Sequence, residues 1–301
     1  MPSGHALNRL WKGQVESMKD ILTKLDQDME LRGFADTTKE AYSRTIAIYL
    51  EHIEKPLAQT DENDIRDYLK YLQSVKKLSN TTVNAYLAAI WFLYEVVCNR
   101  QLNRKQVPYM KRPRKLPEVL LRTEVVAIID AVDNIKHKTM LMLAYSAGLR
   151  VSEIATLKIT DIDSDSMRIF VRAGKGGKDR YTLLSKTCLD MLRRYWRGFR
   201  PDHPEGYLFL GLRSLDHITA DAIEVAFNNA LVKSGLVKNV SIHSMRHSFA
   251  THLLENGTSL VDIKELLGHA SLSSTTIYLH LANITDRVVS PLDLPYTGEG
   301  L

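Results

Sequence analysis

His243-Ser244-Met245-Arg246-His247-Ser248-Phe249-Ala250-Thr251-His252 is a helical stretch carrying an H-x-x-R. Residues three apart at the start of a helix share a face, so His243 and Arg246 can point at one spot. The positive end of the helix dipole favours a phosphate there. A helix cap beside a surface arginine would give the same pair. His243, His247 and His252 also raise the question of a metal. No Glu or Cys at ligand spacing accompanies them.

Downstream, Leu260, Ile263, Leu266 and Leu267 have the spacing of a buried helix face, which ends at Gly268-His269. Ser274-Thr275-Thr276-Ile277-Tyr278 follows, and Tyr278 is one of thirteen tyrosines. Upstream, Ala147-Gly148-Leu149-Arg150-Val151-Ser152-Glu153 reads as a helix stop followed by an arginine. Glu153 can face Arg150 and hold its guanidinium. Between lie two alternating segments, Met167 to Arg172 and, less clearly, Arg180 to Leu183. The run Gly174-Lys175-Gly176-Gly177-Lys178 joins them as a hairpin turn. Either Lys175 or Lys178 could bring an ammonium to a reacting atom, or be simply solvated. A P-loop is excluded, because G-x-x-x-x-G-K-[ST] is absent.

Displacement at a phosphodiester needs a nucleophile, charge on the non-bridging oxygens, an acid for the leaving oxygen and a base. A metal could supply several of these, but no convincing carboxylate cluster is present. Asp161, Asp163 and Asp165 alternate as in a calcium loop. The glycine and distal glutamate of an EF-hand are missing, so a turn before the strand is the better reading. Arginines are then the best available charge, since their planar forks match phosphate bidentately.

In type and order, Arg150, Lys175, His243, Arg246, His269 and Tyr278 resemble the tyrosine recombinase (phage-integrase-like) family, and the match is close to Xer-like and transposon-type members of minimal size. The resemblance spans residues 20 to 285 and is densest over 141 to 280. It implies that Arg150 and Arg246 are the catalytic arginines and that Glu153 is an acidic neighbour of the first. His243 would accept the tyrosine's proton, and His269 would bond a non-bridging oxygen. Lys175, matching the Gly-Lys-Gly context better than Lys178, would act at the leaving oxygen, and Tyr278 is the nucleophile. The implied activity is site-specific recombination through a 3′-phosphotyrosine and a Holliday junction, with neither metal nor ATP and no other cofactor. The implied partners are double-stranded DNA with a specific, inverted-repeat core site and three further copies of the chain in a synaptic tetramer. Met245 stands where the family more often has leucine, a volume-conserving change. Two alternatives stay open, a type IB topoisomerase with the same chemistry and a catalytically silent DNA-binding protein.

The first hundred residues show four amphipathic helical patterns, including Met18, Ile21, Leu22, Leu25 and Met29, and read as a small bundle. Thr37-Thr38-Lys39-Glu40 is a candidate capping box for the second helix. The fold class expected is mainly α, a helical core-binding bundle followed by a mixed α-helical catalytic domain with a small antiparallel β-sheet insert. Helices are expected near 122–132, 138–147, 186–198, 219–234, 244–256, 259–267 and 273–281. The divisions are an extension over 1–17, a core DNA-binding domain over 18–106, a linker over 107–117, a catalytic domain over 118–285 and a tail over 286–301. The linker holds three prolines with Lys111, Arg112, Arg114 and Lys115, which could contact phosphates or form a solvated strap. Residues 1–17 are too short for an arm-binding domain.

The net charge of +5 permits a polyanionic partner without requiring one. Cys98 and Cys188 make neither a disulfide framework nor a zinc site, in keeping with a reducing cytoplasm. No secretion signal is read at the start, and no run of about 18 apolar residues suggests a membrane span. A prokaryotic cytoplasm, beside the nucleoid, is the expected location.

Overall fold

The computed structural model describes residues 17–53, 55–111, 116–174, 178–211 and 216–282. The chain divides into two compact units, Met1–Arg114 and Lys115–Leu301.

The first unit is a bundle of α1 (Met18–Leu31), α2 (Asp36–His52), α3 (Glu62–Ser74) and α4 (Asn80–Phe92). Ser17 and Asp61 open α1 and α3 through reciprocal bonds with Asp20 and Asp64, which satisfy backbone N–H groups that no helix turn can reach. The second helix departs from the expected box. It begins at Asp36 behind Ala35, with no side-chain cap, so Thr37 and Thr38 lie inside its first turn. Asp36 there meets the positive end of the helix dipole. After Phe92 the helix widens into a π turn, Leu93–Val97. Tyr94, on that turn, bonds Tyr49 of α2 in the core at 3.0 Å between hydroxyls.

Part of the expected linker belongs to this bundle. Val107 is buried, Asn84 exchanges two bonds with the backbone of Met110, and the Asn80 amide donates to the carbonyl of Lys111. Arg112, Arg114 and Lys115 lie outside the described residues.

In the second unit α5 (Arg122–Asp130), α6 (Ile135–Ser146), α7 (Val151–Ala155), α8 (Lys186–Phe199), α9 (Ala220–Lys233), α10 (Ile242–Glu255) and α11 (Leu260–Leu267) surround a core centred on α6. Thr139 through Ala144 are all buried, because α6 packs against α5, α7, α8, α9 and α10. A sheet in the order β1 (Ile162–Asp163), β2 (Arg168–Gly174), β3 (Lys178–Leu183) runs antiparallel throughout. Before β2, the Asp163 carboxylate accepts from the backbone of Asp165 and Ser166, closing the turn expected of the aspartate series.

One strand face is unusual, and one expected helix is replaced. In β3 the buried positions are polar: Thr182 is inside and Arg180 nearly so, while Tyr181 and Leu183 are exposed. The inner face meets carbonyls rather than side-chain core, and Thr182 Oγ1 donates to the Ala147 carbonyl at 2.7 Å. The expected helix over 273–281 is instead two short 3₁₀ turns, Leu272–Ser274 and Thr276–His280. Ser274 and Thr276 donate their hydroxyls to the carbonyls of Ser271 and Ser273, bonds that compete with a continuous α-helix.

Gly148 turns the chain from α6 into α7 with φ of +62°. A Cβ there would overlap the Phe249 ring. Gly148→Ala should therefore cost about 2–4 kcal/mol, from left-handed backbone and overlap together. It should lower the denaturant midpoint with little change in slope. An unshifted midpoint would contradict that account.

Candidate active site

Four helix ends and one strand converge in the second unit. Arg150 is the N-cap residue of α7, and its backbone N–H donates to Glu153 Oε2 at 2.8 Å. Its guanidinium donates to Glu153 Oε1 at 2.6 Å. Arg180, from β3, places its fork on the same carboxylate, with bonds of 2.8 and 2.7 Å. Arg246, from α10, lies 3.8 Å from Glu153 Oε2. Arg246 donates to the carbonyls of Gly148 and Leu267, the ends of α6 and α11.

Burial alone would raise the Glu153 carboxyl. The bonds and charge of Arg180, with Arg150 and Arg246, overcome that and hold it at about 2. For Arg246, burial first and then Arg150 push the guanidinium down to about 9, against the pull of Glu153. It stays protonated at neutral pH. Three guanidiniums against one carboxylate leave an excess of about two positive charges in a largely buried place, a setting for an anion.

Tyr278 lies on the second 3₁₀ turn and is 1% exposed. Burial raises its hydroxyl, while Arg246 and Arg150 oppose the rise. Its ring stacks on His269, 15° from parallel, and His269 Nδ1 meets Thr275 Oγ1 at 2.9 Å. Burial, then Arg246 and Arg150, push the His269 imidazole down to about 4.

The imidazole on the Tyr278 hydroxyl is His247, with Nδ1 at 3.3 Å. Burial, then His243 and Arg246, lower His247 to about 4. A raised phenol beside a lowered imidazole leaves both groups neutral, with the proton on the tyrosine. His243, expected next to the tyrosine, is an exposed residue of the first turn of α10. His252 turns to a different partner, the Tyr145 hydroxyl at 2.9 Å. The three histidines of α10 therefore do not converge.

Arg150, Glu153, Arg246, His269 and Tyr278 are thus in one cluster, with Arg180 and His247 as members the sequence reading passed over. Alternation in β3 held a signal for Arg180, since its side chain shares a strand face with Thr182. His247 is four residues after His243, on the same helix face, but nothing local distinguishes the two. Lys175 lies outside the described residues, and Lys178 begins β3 opposite Gly174. Lys111 ends the segment bonded to α4.

Residues 118–284 match the phage integrase family, and residues 21–104 match the phage integrase N-terminal SAM-like domain. The chain belongs to the phage integrase family. Within it the type is an Xer-like tyrosine recombinase. A putative integrase/recombinase y4qK of Sinorhizobium fredii is 40% identical over 92% of this chain and 90% of that protein. Tyrosine recombinase XerA of Pyrococcus horikoshii is 37% identical over 86% of this chain and 88% of that protein. The crystal structure of XerA recombinase superposes with a TM-score of 0.53 at 28% identity, covering 91% of this chain and all (100%) of that one. An XerH recombinase bound to its difH substrate shares the fold, with a TM-score of 0.68 at 21% identity over 90% of this chain and 83% of that one. No helix among the described residues of this recombinase is long and apolar enough to cross a membrane.

The site imidazoles set a pH dependence. Unfolded, His247 and His269 take up protons near pH ~6.5; folded, they do so at about 4. The unfolded state binds more protons between these values, so stability is full above the upper one and falls as pH drops toward the lower. Glu153, depressed to about 2, adds its own loss only at more acid pH. Thermal melts should show Tm declining through that upper window, less steeply in His247→Gln. An equal decline in the variant would remove His247 from the account.

Proposed function

We propose that this chain cuts and rejoins DNA at a specific site through a 3′-phosphotyrosine and exchanges strands through a Holliday junction. The observation that carries the reading is that Arg150 and Arg246 meet at one buried carboxylate, and that their charge reaches the stacked pair His269 and Tyr278. The substrate is double-stranded DNA with an inverted-repeat core site, engaged by four copies of the chain in the cytoplasm.

In the reaction, the Tyr278 oxygen forms a bond to phosphorus and the bond to the 5′-oxygen breaks. Arg150 and Arg246 stabilise the charge on the non-bridging oxygens, as preorganised donors that need little rearrangement. His269 adds a hydrogen bond to one of these oxygens. The buried phenol leaves His247 to reach the phosphate, and His243, exposed at the head of α10, takes its proton. Lys175 gives a proton to the leaving 5′-oxygen. The phosphotyrosine conserves the bond for the reverse step, so neither ATP nor a metal enters. Lys111, Arg112, Arg114 and Lys115 add contacts to the DNA backbone.

A duplex selected for binding from random DNA, nicked near the scissile position, gives the first test. Tyr278→Phe should form no covalent adduct while binding the duplex almost as tightly as the wild type, because affinity comes from dispersed phosphate contacts. A protease-sensitive adduct in that variant would sink the assignment.

A second test concerns the acid. A 5′-alkoxide needs a proton to leave, whereas a 5′-thiolate leaves without one. Lys175→Ala should cleave an ordinary phosphate very slowly and recover when sulfur replaces the 5′-bridging oxygen. Arg150→Ala should show no recovery, since sulfur leaves the non-bridging oxygens unchanged. Rescue of Lys178→Ala with normal cleavage by Lys175→Ala would move the acid to Lys178.

A further inference from the structure

Arg180 has no part in the chemistry set out above, yet it is as enclosed as the groups that do. Its side chain is 8% exposed. Its Nε–H donates to the Leu266 carbonyl at 2.8 Å, and its two terminal nitrogens donate to the two oxygens of Glu153. The neighbouring carbonyl, Leu267, is taken by Arg246. Gly268 leaves the space through which Arg180 passes: a Cβ there would lie 2.8 Å from Arg180 Cδ. One side chain therefore joins β3, the strand leaving the Gly-rich run, to α7 and to the turn that delivers His269.

Glu153 has two oxygens and three arginines within reach. A carboxylate accepts about four hydrogen bonds, and a bidentate guanidinium is its strongest partner. Arg180 occupies that place. In consequence Arg150 gives Glu153 one side-chain N–H, and Arg246 stands off at 3.8 Å. Among the described residues, no other acceptor bonds the Arg150 guanidinium.

We infer that Arg180 is a positioning residue: by saturating Glu153 and holding the end of α11, it keeps Arg150 and Arg246 directed at the scissile phosphate. Without it, Glu153 closes on Arg246, the nearest cation not yet in contact, and the Leu266 carbonyl loses its donor. The inference rests on the recombinase reading of the same site.

The test measures single-turnover adduct formation on the selected nicked duplex, with either an ordinary scissile phosphate or a methylphosphonate. The methyl group replaces one non-bridging oxygen and removes the charge that the arginines neutralise. Arg180→Met should slow cleavage of the ordinary phosphate by about 10²-fold, the scale of a misplacement near 1 Å. Its deficit should shrink at least tenfold on the methylphosphonate, and Arg180→Lys should fall between Arg180→Met and wild type. Duplex affinity should be unchanged. Should Arg180→Met fail to fold, Arg180→Lys, which keeps a cation beside Glu153 without the bidentate fork, carries the test, and its smaller deficit should likewise shrink on the methylphosphonate.

An equal deficit on both substrates, or none, overturns the positioning role. The wild type reports separately on the underlying reading: adduct formation that is lost in Tyr278→Phe upholds it whatever Arg180 does. A wild type that never forms an adduct overturns both.

Discussion

The buried carboxylate of Glu153 is the point on which the site's geometry depends. Three guanidiniums brought this close would repel one another and distort the helix ends and strand that carry them. One carboxylate among them removes about a third of that charge and supplies the directional acceptors that set their orientation. Its attachment is local at one end, through the backbone of Arg150 three residues away. At the other it is long-range, through Arg180 on the sheet and Arg246 on α10. The same group therefore closes α7 and binds together segments distant in sequence.

The arginines in turn complete the fold. A helix leaves its last carbonyls without partners, and a buried helix end must find donors elsewhere. α6 and α11 end inside the unit, and guanidiniums meet the carbonyls of Gly148, Leu266 and Leu267. Thr182 does the same for Ala147. Arg246, which faces a phosphate in the proposed reaction, thus also satisfies backbone that would otherwise be orphaned, and Arg180 and Thr182 share that task. The site cannot be stripped of its charges and leave the surrounding structure unaffected.

Local physics determined what was readable in the chain. The bundle helices declared themselves through apolar spacing at Ile21, Leu25 and Met29 or Ile65, Leu69 and Leu72, which the structure buries. The hairpin followed from alternation and a glycine run. The arginine, histidine and tyrosine positions were legible because their order is distinctive, whereas their mutual contacts were not. Arg180 carried no distinguishing mark, because its strand alternates only weakly and its buried face meets carbonyls rather than apolar side chains. His247 was overshadowed by His243, since only the path of the chain after Gly268 decides which imidazole meets the phenol. The segment before Tyr278 misled for a related reason: its spacing suits a helix, but its hydroxyls bond backbone carbonyls three residues back.

That segment also has an energetic consequence. Short 3₁₀ turns have poorer hydrogen-bond geometry than an α-helix, and Tyr278 packs with Phe249, Ala250, Ile263 and Leu267 in a small cluster separate from the main core on α6. Reshaping it disturbs few of the contacts that keep the unit folded, and such weakly coupled regions open at a free energy below that of global unfolding. In the proposed reaction, a buried tyrosine placed there would be shielded while the protein is alone, and its release would be set by a local equilibrium. Reactivity can then be conditional on what surrounds the segment, with the stability of the enzyme left almost untouched.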